Sequence, residues 1–424
     1  MGIAVIILFF LLLLVGFPIV VSIAIPSIIY LITHGIPIEL ISLRIQYALD
    51  SYPLLAIPLF IYAGNLMNGT GVTKKIFSFA DLAVGRMPGG MAQVNIFAGL
   101  LFAGMSGAAL AAIGGLGPIT IKSMQEKGFS KTFAAGITIS SATVGPIFPP
   151  SIPLIVYGAV ASVSIVNLLL AGILPALLMV ALLMITTGII STIRNYPRSH
   201  KWSSWKELKV SFKHAAPAIA APVVLIAGLL SGIFTPTEAA VVMVGYIVFI
   251  NLVFYKHFSI SLLLEAAHNT IRTSVSILII IALASLFGWI LAVEQIPQLF
   301  ANNILQLSTS PIIMLMIVNV LLLIVGMFLD STTATLLVVP IIAPPLILAG
   351  IDPIHLGVIT ILNLMIGLVT PPLGLSLFLI SKIAGISVKE VLKGVFPFLI
   401  PLFISLILVI AFPSISLFFI DYFK

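Results

Sequence analysis

Gly145-Pro146-Ile147-Phe148-Pro149-Pro150 and Gly367-Leu368-Val369-Thr370-Pro371-Pro372 are one awkward stretch met twice in an apolar chain. The copies lie 222 positions apart, as 145 and 367 do, and the register holds around them without a gap. Gly104, Met105, Pro118, Gly128, Gly172 and Pro175 recur as Gly326, Met327, Pro340, Gly350, Gly394 and Pro397. Ile137-Thr138-Ile139 recurs as Ile359-Thr360-Ile361 in the same register. Proline removes an amide and clashes with the preceding turn, so it breaks a helix interior. A chain that breaks its helices twice at one register has duplicated a unit in which the break is wanted.

The composition around these breaks leaves one class of protein. Of 424 residues 61% are hydrophobic and 7% charged, with a mean hydropathy of +1.30. A soluble domain carries about 25% charge. The chain is therefore expected to be an all-α polytopic membrane protein. A transmembrane barrel would alternate in segments of about 10 residues, whereas the apolar runs here approach the ~20 residues of a spanning helix. The formal charge of +7 does not point to nucleic acid. Arg194, Arg198, Lys201, Lys206, Lys209 and Lys213 cluster between two apolar blocks. That pattern predicts a positive-inside linker over 194–216, in the cytoplasm, with Trp202 and Trp205 at the bilayer interface. Cysteine is absent, which excludes a disulfide framework and thiol chemistry, and the six histidines show no close metal-ligand spacing. The N-terminus turns apolar at Ile3 without a basic n-region and reads as a retained first helix.

The linker divides the chain into a first repeat over 1–193 and a second over 217–424. In the first, 3–33 is apolar with a break at Gly16-Phe17-Pro18, and Asn68-Gly69-Thr70-Gly71 is a turn. Residues 72–87 suit an interfacial helix. Residues 93–127 read as a re-entrant hairpin tipped by Ser106-Gly107. Residues 131–160 read as a helix broken at Gly145 to Pro153, and 165–193 as an uninterrupted span. In the second repeat, spans are expected near 217–233, 236–255 and 273–293, with an amphipathic piece at 259–272. A second hairpin covers about 311–350 with its tip near Asp330-Ser331-Thr332-Thr333. A helix over 355–382 breaks at Gly367 to Gly374, and a last span covers about 395–420. Hydropathy does not give the parity of the spans, so parallel and inverted repeats both remain open.

In hydrocarbon an unpaired backbone group costs several kcal/mol, so broken helices survive only where they are buried in protein or line a wet cavity. Freed carbonyls can hold a hard cation, and half-helix N-termini attract anions. In membrane transporters such paired interruptions mark the ion and substrate site. The hydroxyls of Ser106, Ser151, Thr332 and Thr370 are neutral oxygens. They suit a monovalent cation better than a divalent one, which would draw more carboxylates. For any one glycine or proline, simple packing or kinking is the competing explanation. Asp330 follows a long apolar run. A carboxylate at that depth is functional by default, or it is the N-cap of the hairpin's second arm. Glu238, in Thr235-Pro236-Thr237-Glu238, is expected to close a capping arrangement, and His268, Arg272 and Glu294 to lie at the interface.

These residues resemble the large membrane subunit (DctM-like) of tripartite ATP-independent periplasmic (TRAP) transporters over essentially the whole chain. The resemblance is carried by Ser51-Tyr52-Pro53-Leu54-Leu55-Ala56-Ile57-Pro58-Leu59-Phe60, Ala63-Gly64-Asn65-Leu66-Met67 and Val84-Gly85-Arg86-Met87-Pro88-Gly89-Gly90. It continues through Pro149-Pro150-Ser151-Ile152-Pro153, Ala171-Gly172-Ile173-Leu174-Pro175 and Ser231-Gly232-Ile233-Phe234-Thr235-Pro236-Thr237-Glu238-Ala239. Gly350-Ile351-Asp352-Pro353 and Gly367-Leu368-Val369-Thr370-Pro371-Pro372-Leu373-Gly374 complete it.

The resemblance implies inverted repeats, and a transport domain that moves as an elevator against a scaffold. It implies sodium-coupled secondary uptake of an organic acid across the bacterial inner membrane. It also implies a small membrane subunit and a periplasmic substrate-binding protein as partners. Carried over by position, one Na+ would be held by Ser106, Gly107, Gly145, Phe148 and Pro150, and another by Gly326, Thr332, Gly367 and Thr370. The organic anion would meet Ser106, Ser151 and Asp330. One departure stands out: the family's first tip reads Ser-Gly-Ser with an aspartate shortly after, where this chain has Ala108 and Ala112. A backbone-dominated first site or an altered substrate preference follows. A stand-alone ion-coupled dicarboxylate symporter is the alternative within the same broad class. An intramembrane enzyme is disfavoured, because Asp330 has no second aspartate spaced for a dyad.

Overall fold

The computed structural model describes residues 1–69, 72–198, 204–256, 259–308, 310–372 and 374–422, with backbone only for Thr73, Lys74 and residues 103–106. Thr70 and Gly71 of the expected turn, His200, Lys201, Trp202, His257 and Leu373 lie outside the described residues, as does the Ser106 hydroxyl.

The first half runs α1 (Gly2–Val15), α2 (Ile19–Thr33), α3 (Glu39–Leu49), α4 (Ala56–Gly69), α5 (Val72–Val84), α6 (Gly90–Ser106), α7 (Ala109–Glu126), α8 (Lys131–Ala142), α9 (Ile152–Ala161), α10 (Ile165–Ala171) and α11 (Ile173–Ile193). The second runs α12 (Trp205–Leu230), α13 (Pro236–Ile250), α14 (Ile260–Val293), α15 (Ile296–Leu307), α16 (Pro311–Phe328), α17 (Ser331–Leu348), α18 (Pro353–Leu368), α19 (Leu375–Ala384), α20 (Val388–Ala411) and α21 (Ser414–Tyr422). Among the described residues, seven helical stretches are long and apolar enough to cross a membrane. Several starts, those of α8, α9, α13, α17, α18 and α20 among them, follow from side chains that satisfy the orphan amides of a helix end. Thr235 and Glu238 form the expected capping box on α13, with Glu238 N–H donating to Thr235 Oγ1 at 3.3 Å and Thr235 N–H to Glu238 Oε2 at 2.8 Å.

The 222-residue register is also a structural one. Ser106 and Phe328 close the first hairpin arms, Ala109 and Ser331 open the second arms, and Glu126 and Leu348 close them. Each arm of 17 or 18 residues reaches about 27 Å at most, just short of the hydrocarbon core. The halves exchange contacts reciprocally: α7 packs on α19, and α17 on α9.

Two long helices settle the parity. The base of the first hairpin lies with the C-terminal end of α11, where the Ser130 and Tyr196 hydroxyls are 2.9 Å apart and Phe129 stacks on Tyr196. The first turn of α20 is there too, with Glu390 in electrostatic reach of Lys131. The base of the second hairpin lies at the other end of α20. His355 Nδ1 meets Ser416 Oγ at 2.8 Å, and the Tyr157 hydroxyl donates to the Pro353 carbonyl at 3.0 Å. The 24 residues of α20 separate these places by about 36 Å. The hairpins therefore enter from opposite faces, and the repeats are inverted. Lys122, Lys127, Lys131, Arg194, Lys389 and Lys393 gather on the face of the first hairpin base.

Four elements differ from the sequence expectation. The last span, expected over about 395–420, is two helices, α20 and α21, divided at Phe412 and Pro413. The amphipathic piece at 259–272 and the span at 273–293 are one 34-residue helix, α14. In the first half the equivalent chain breaks between α3 and α4 at Pro53, whose counterpart is Val275, which has no such effect. The end of the basic linker is not loop but the first turns of α12, started by a Ser204–Glu207 capping box. The 165–193 span is divided at Gly172 into α10 and α11. There a Cβ would lie 2.1 Å from the Ile147 carbonyl, so the close approach requires glycine.

Candidate functional site

Both hairpin tips and both helix breaks meet near the centre of the fold. The first break spans Thr143 to Ser151 between α8 and α9, and the second spans Val369 to Gly374 between α18 and α19. Ser151 caps α9: its hydroxyl accepts from Leu154 N–H at 3.1 Å, donates to the Pro146 carbonyl and is fully buried. The Thr370 hydroxyl donates to the Ile366 carbonyl at 2.6 Å, which leaves its lone pairs open to a cation. Pro149-Pro150 and Pro371-Pro372 are both cis, a further echo of the repeat.

Each tip is pressed onto the break of its own half. Gly107 has φ +59°, and a Cβ on it would lie 2.5 Å from the Pro150 carbonyl oxygen. In the second half Gly374 N–H donates to the Met327 carbonyl at 2.9 Å. The Leu368 and Thr370 carbonyl oxygens each lie 3.0 Å from where a Gly374 Cβ would be. Carbonyls thus converge where a small cation could sit. Gly326 and Gly367 touch backbone to backbone, a Cβ on Gly367 falling 2.7 Å from Gly326 Cα. Their contact lets α16 and α18 cross at van der Waals range, so both glycines have a packing role whatever else they do. Gly145 instead borders a void of about 10 Å³ lined by Asn95, Thr138 and Ser141, the size of one water.

The two tips open onto one cavity of about 250 Å³. Ala108 to Ala111 line it from the first tip, Asp330 to Thr332 from the second, with Ile152 and Pro153 at the start of α9. The opposite wall is Ile61, Gly64, Asn65 and Asn68 of α4 with Thr273 and Ile277 of α14. Of the residues expected to meet an organic anion, Asp330 lines this cavity. Ser151 sits just behind it, and the Ser106 side chain is outside the described residues. Of the expected ion ligands, Thr332 reaches the cavity and Gly145 does not. Sequence reasoning assigned no role to Asn65, whose Nδ2 donates to Thr270 Oγ1 at 3.0 Å. An amide in the apolar run of α4 was the available signal.

Asp330 is both a helix cap and a cavity residue. It is the N-cap of α17: Oδ2 accepts from Thr332 N–H at 3.0 Å and Thr333 N–H at 3.2 Å, and Oδ1 from the Thr333 hydroxyl at 2.5 Å. It also lines the cavity. Its counterpart in the register, Ala108, is the N-cap of α7 and makes no side-chain cap. Among the described residues no side chain accepts from the first amides of α7, while those of α17 are already bonded to a carboxylate.

Inverted repeats, paired hairpins and paired broken helices around one central cavity define a membrane transporter. The fold is shared with the Alcanivorax borkumensis YdaH transporter, whose crystal structure superposes with a TM-score of 0.58 at 15% identity over 84% of this chain and 85% of that one. The family model for the tripartite ATP-independent periplasmic transporter DctM component matches residues 6–415. The sialic acid TRAP transporter large permease protein SiaM of Vibrio cholerae is 41% identical over 407 residues, 96% of this chain and 95% of that protein. The C4-dicarboxylate TRAP transporter large permease protein DctM of Pseudomonas aeruginosa is 36% identical over 368 residues, 87% of this chain and 86% of that one. The chain belongs to the DctM family of TRAP transporter large permeases. It is a multi-pass membrane transporter subunit and not an enzyme.

Proposed function

We propose that the chain is the permease of a sodium-coupled secondary transporter that takes up an organic acid across the bacterial inner membrane. The observation that carries this reading is the single cavity shared by the two tips. The α7 N-terminus, without a capping side chain at Ala108, attracts a carboxylate on one side. The Asp330 carboxylate on the other accepts hydrogen bonds from the hydroxyl or amide groups of the same molecule. Sodium at Gly326, Thr332, Gly367 and Thr370, and at Ser106, Gly107, Gly145, Phe148 and Pro150, ties the breaks to the tips and offsets the charge of Asp330. The relatives named for sialic acid and C4-dicarboxylates support an organic acid as cargo.

In this reading the hairpins, breaks and α7, α9, α17 and α19 move together as an elevator against a scaffold that includes α4 and α14. A small membrane subunit steadies the scaffold, and a periplasmic binding protein delivers the acid. The test is uptake of labelled sialic acid and C4-dicarboxylates into proteoliposomes, with the cognate binding protein and small subunit. Uptake should require an inward sodium gradient and the binding protein. Full uptake with choline replacing sodium would remove the coupling, and full uptake without the binding protein would favour a stand-alone symporter.

A further inference from the structure

Away from the cavity, α5 and the first turns of α12 enclose a groove of about 690 Å³ on the basic face. Lys75, Lys206 and His214 line it together with the apolar Leu82 and Val210. Two more lysines of α12, Lys209 and Lys213, stand nearby and exposed. Glu207 is the acidic residue in the lining, and its carboxylate is engaged by Ser204 N–H at 3.0 Å in the α12 cap. None of Lys75, Lys206, Lys209 and Lys213 forms an ion pair with an acidic side chain among the described residues.

Lys75 is held in place: its ammonium lies 3.7 Å from the Tyr255 ring centroid, and the Tyr255 hydroxyl donates to the His214 carbonyl at 3.1 Å. Partial burial lowers the Lys75 pKa, a desolvation cost that a neighbouring anion would offset. The rim is amphipathic, with Trp205 81% exposed and Phe212 49% exposed. Unpaired cations above apolar walls, at the level where Trp sits in a bilayer, match a lipid headgroup with its acyl chain below.

We propose that this groove binds one anionic phospholipid of the cytoplasmic leaflet, its phosphate between Lys75, Lys206 and His214 and an acyl chain along Leu82 and Val210. The lipid fastens the amphipathic start of α12 to α5 at the junction of the two repeats. Purified protein titrated with phosphatidylglycerol in mixed micelles and read by native mass spectrometry should retain one such lipid in preference to phosphatidylcholine. Lys75→Gln with Lys206→Gln should weaken retention by about twenty-fivefold, at about fivefold per lysine. Lys389→Gln with Lys393→Gln, on the same face outside the groove, should leave retention unchanged. Retention equal to wild type in the groove variant, equal retention of phosphatidylcholine, or displacement by inorganic phosphate each overturns the proposal. Should the double variant fail to fold, the exposed Lys206→Gln alone, with a loss of about fivefold, makes the same test.

Discussion

At the first hairpin tip the cap position is Ala108; at the second, 222 residues on, it is Asp330. α7 and α17 begin and end in register, although the turn before them is left-handed at Gly107 and extended at Leu329. Their electrostatics differ. α17 carries its own anion at its N-terminus, while among the described residues no side chain caps α7, whose first turn lines the same cavity. An inverted repeat has thus kept its helix register and divided its chemistry. One tip can take a carboxylate from a cargo, and the other supplies a carboxylate to it. The breaks differ in the same sense: Thr370 offers a hydroxyl where its counterpart Phe148 offers only a carbonyl, and Gly367 is packed against backbone where Gly145 borders a void.

The sharpest way to break this asymmetry is to remove it. Ala108→Asp should cap α7 and stabilise it by about 0.5–2 kcal/mol. The same carboxylate would repel the cargo, by about 4 kcal/mol for two charges 4 Å apart at an effective dielectric of 20. Uptake in proteoliposomes is expected to fall by more than a hundredfold while thermal stability holds or rises. Retained uptake would mean that the bare helix end is not where the anion sits.

Gly367→Ala tests the packing difference. A Cβ there meets Gly326 Cα at 2.7 Å and the Leu323 carbonyl at 2.9 Å, so overpacking should cost about 1–3 kcal/mol in a denaturation assay. Gly145→Ala, beside the void, should cost less, and equal losses would refute the packing contrast. Asp330 separates in two steps. Asp330→Ala should lose the cap, about 0.5–2 kcal/mol, whereas Asp330→Asn keeps most of it. Both should impair uptake, and normal uptake by the Asn variant would reduce Asp330 to a cap. The smallest structural effect is expected for Thr370→Ala. It removes one hydrogen bond, about 1 kcal/mol, and should raise the sodium concentration for half-maximal uptake several-fold at unchanged protein level. Phe148→Leu should leave the sodium response as it is.

Much of this architecture was legible because glycine and proline act locally. The echo at 222 positions pointed to both hairpins and both breaks because a paired Pro-Pro beside glycine interrupts a helix, whereas the single prolines Pro118 and Pro340 are carried inside α7 and α17. The continuity of α14 was less accessible. Polar residues over 265–274 read as a boundary, but with no proline at Val275 the helix runs on through them. The inversion of the repeats depended on which ends of α11 and α20 meet each hairpin base, a tertiary fact without a local signal. Asp330 and Thr332, which line the cavity, stand out in the sequence because polar atoms in apolar runs are conspicuous. The wall formed by Asn65 and Thr273 does not, because α4 and α14 come to the cavity from chain segments remote from either tip. The uncapped start of α7 was visible only as a missing hydroxyl at Ala108, and its meaning came from seeing that position face the cavity.

The division of labour between the tips rests on a cargo carboxylate meeting the open end of α7. Competition against uptake by the transported acid and by its neutral methyl ester, in wild-type proteoliposomes, tests this directly. The ester should compete more weakly by on the order of thirtyfold, the loss of about 2 kcal/mol of charge–dipole attraction. Equal competition by acid and ester would contradict it.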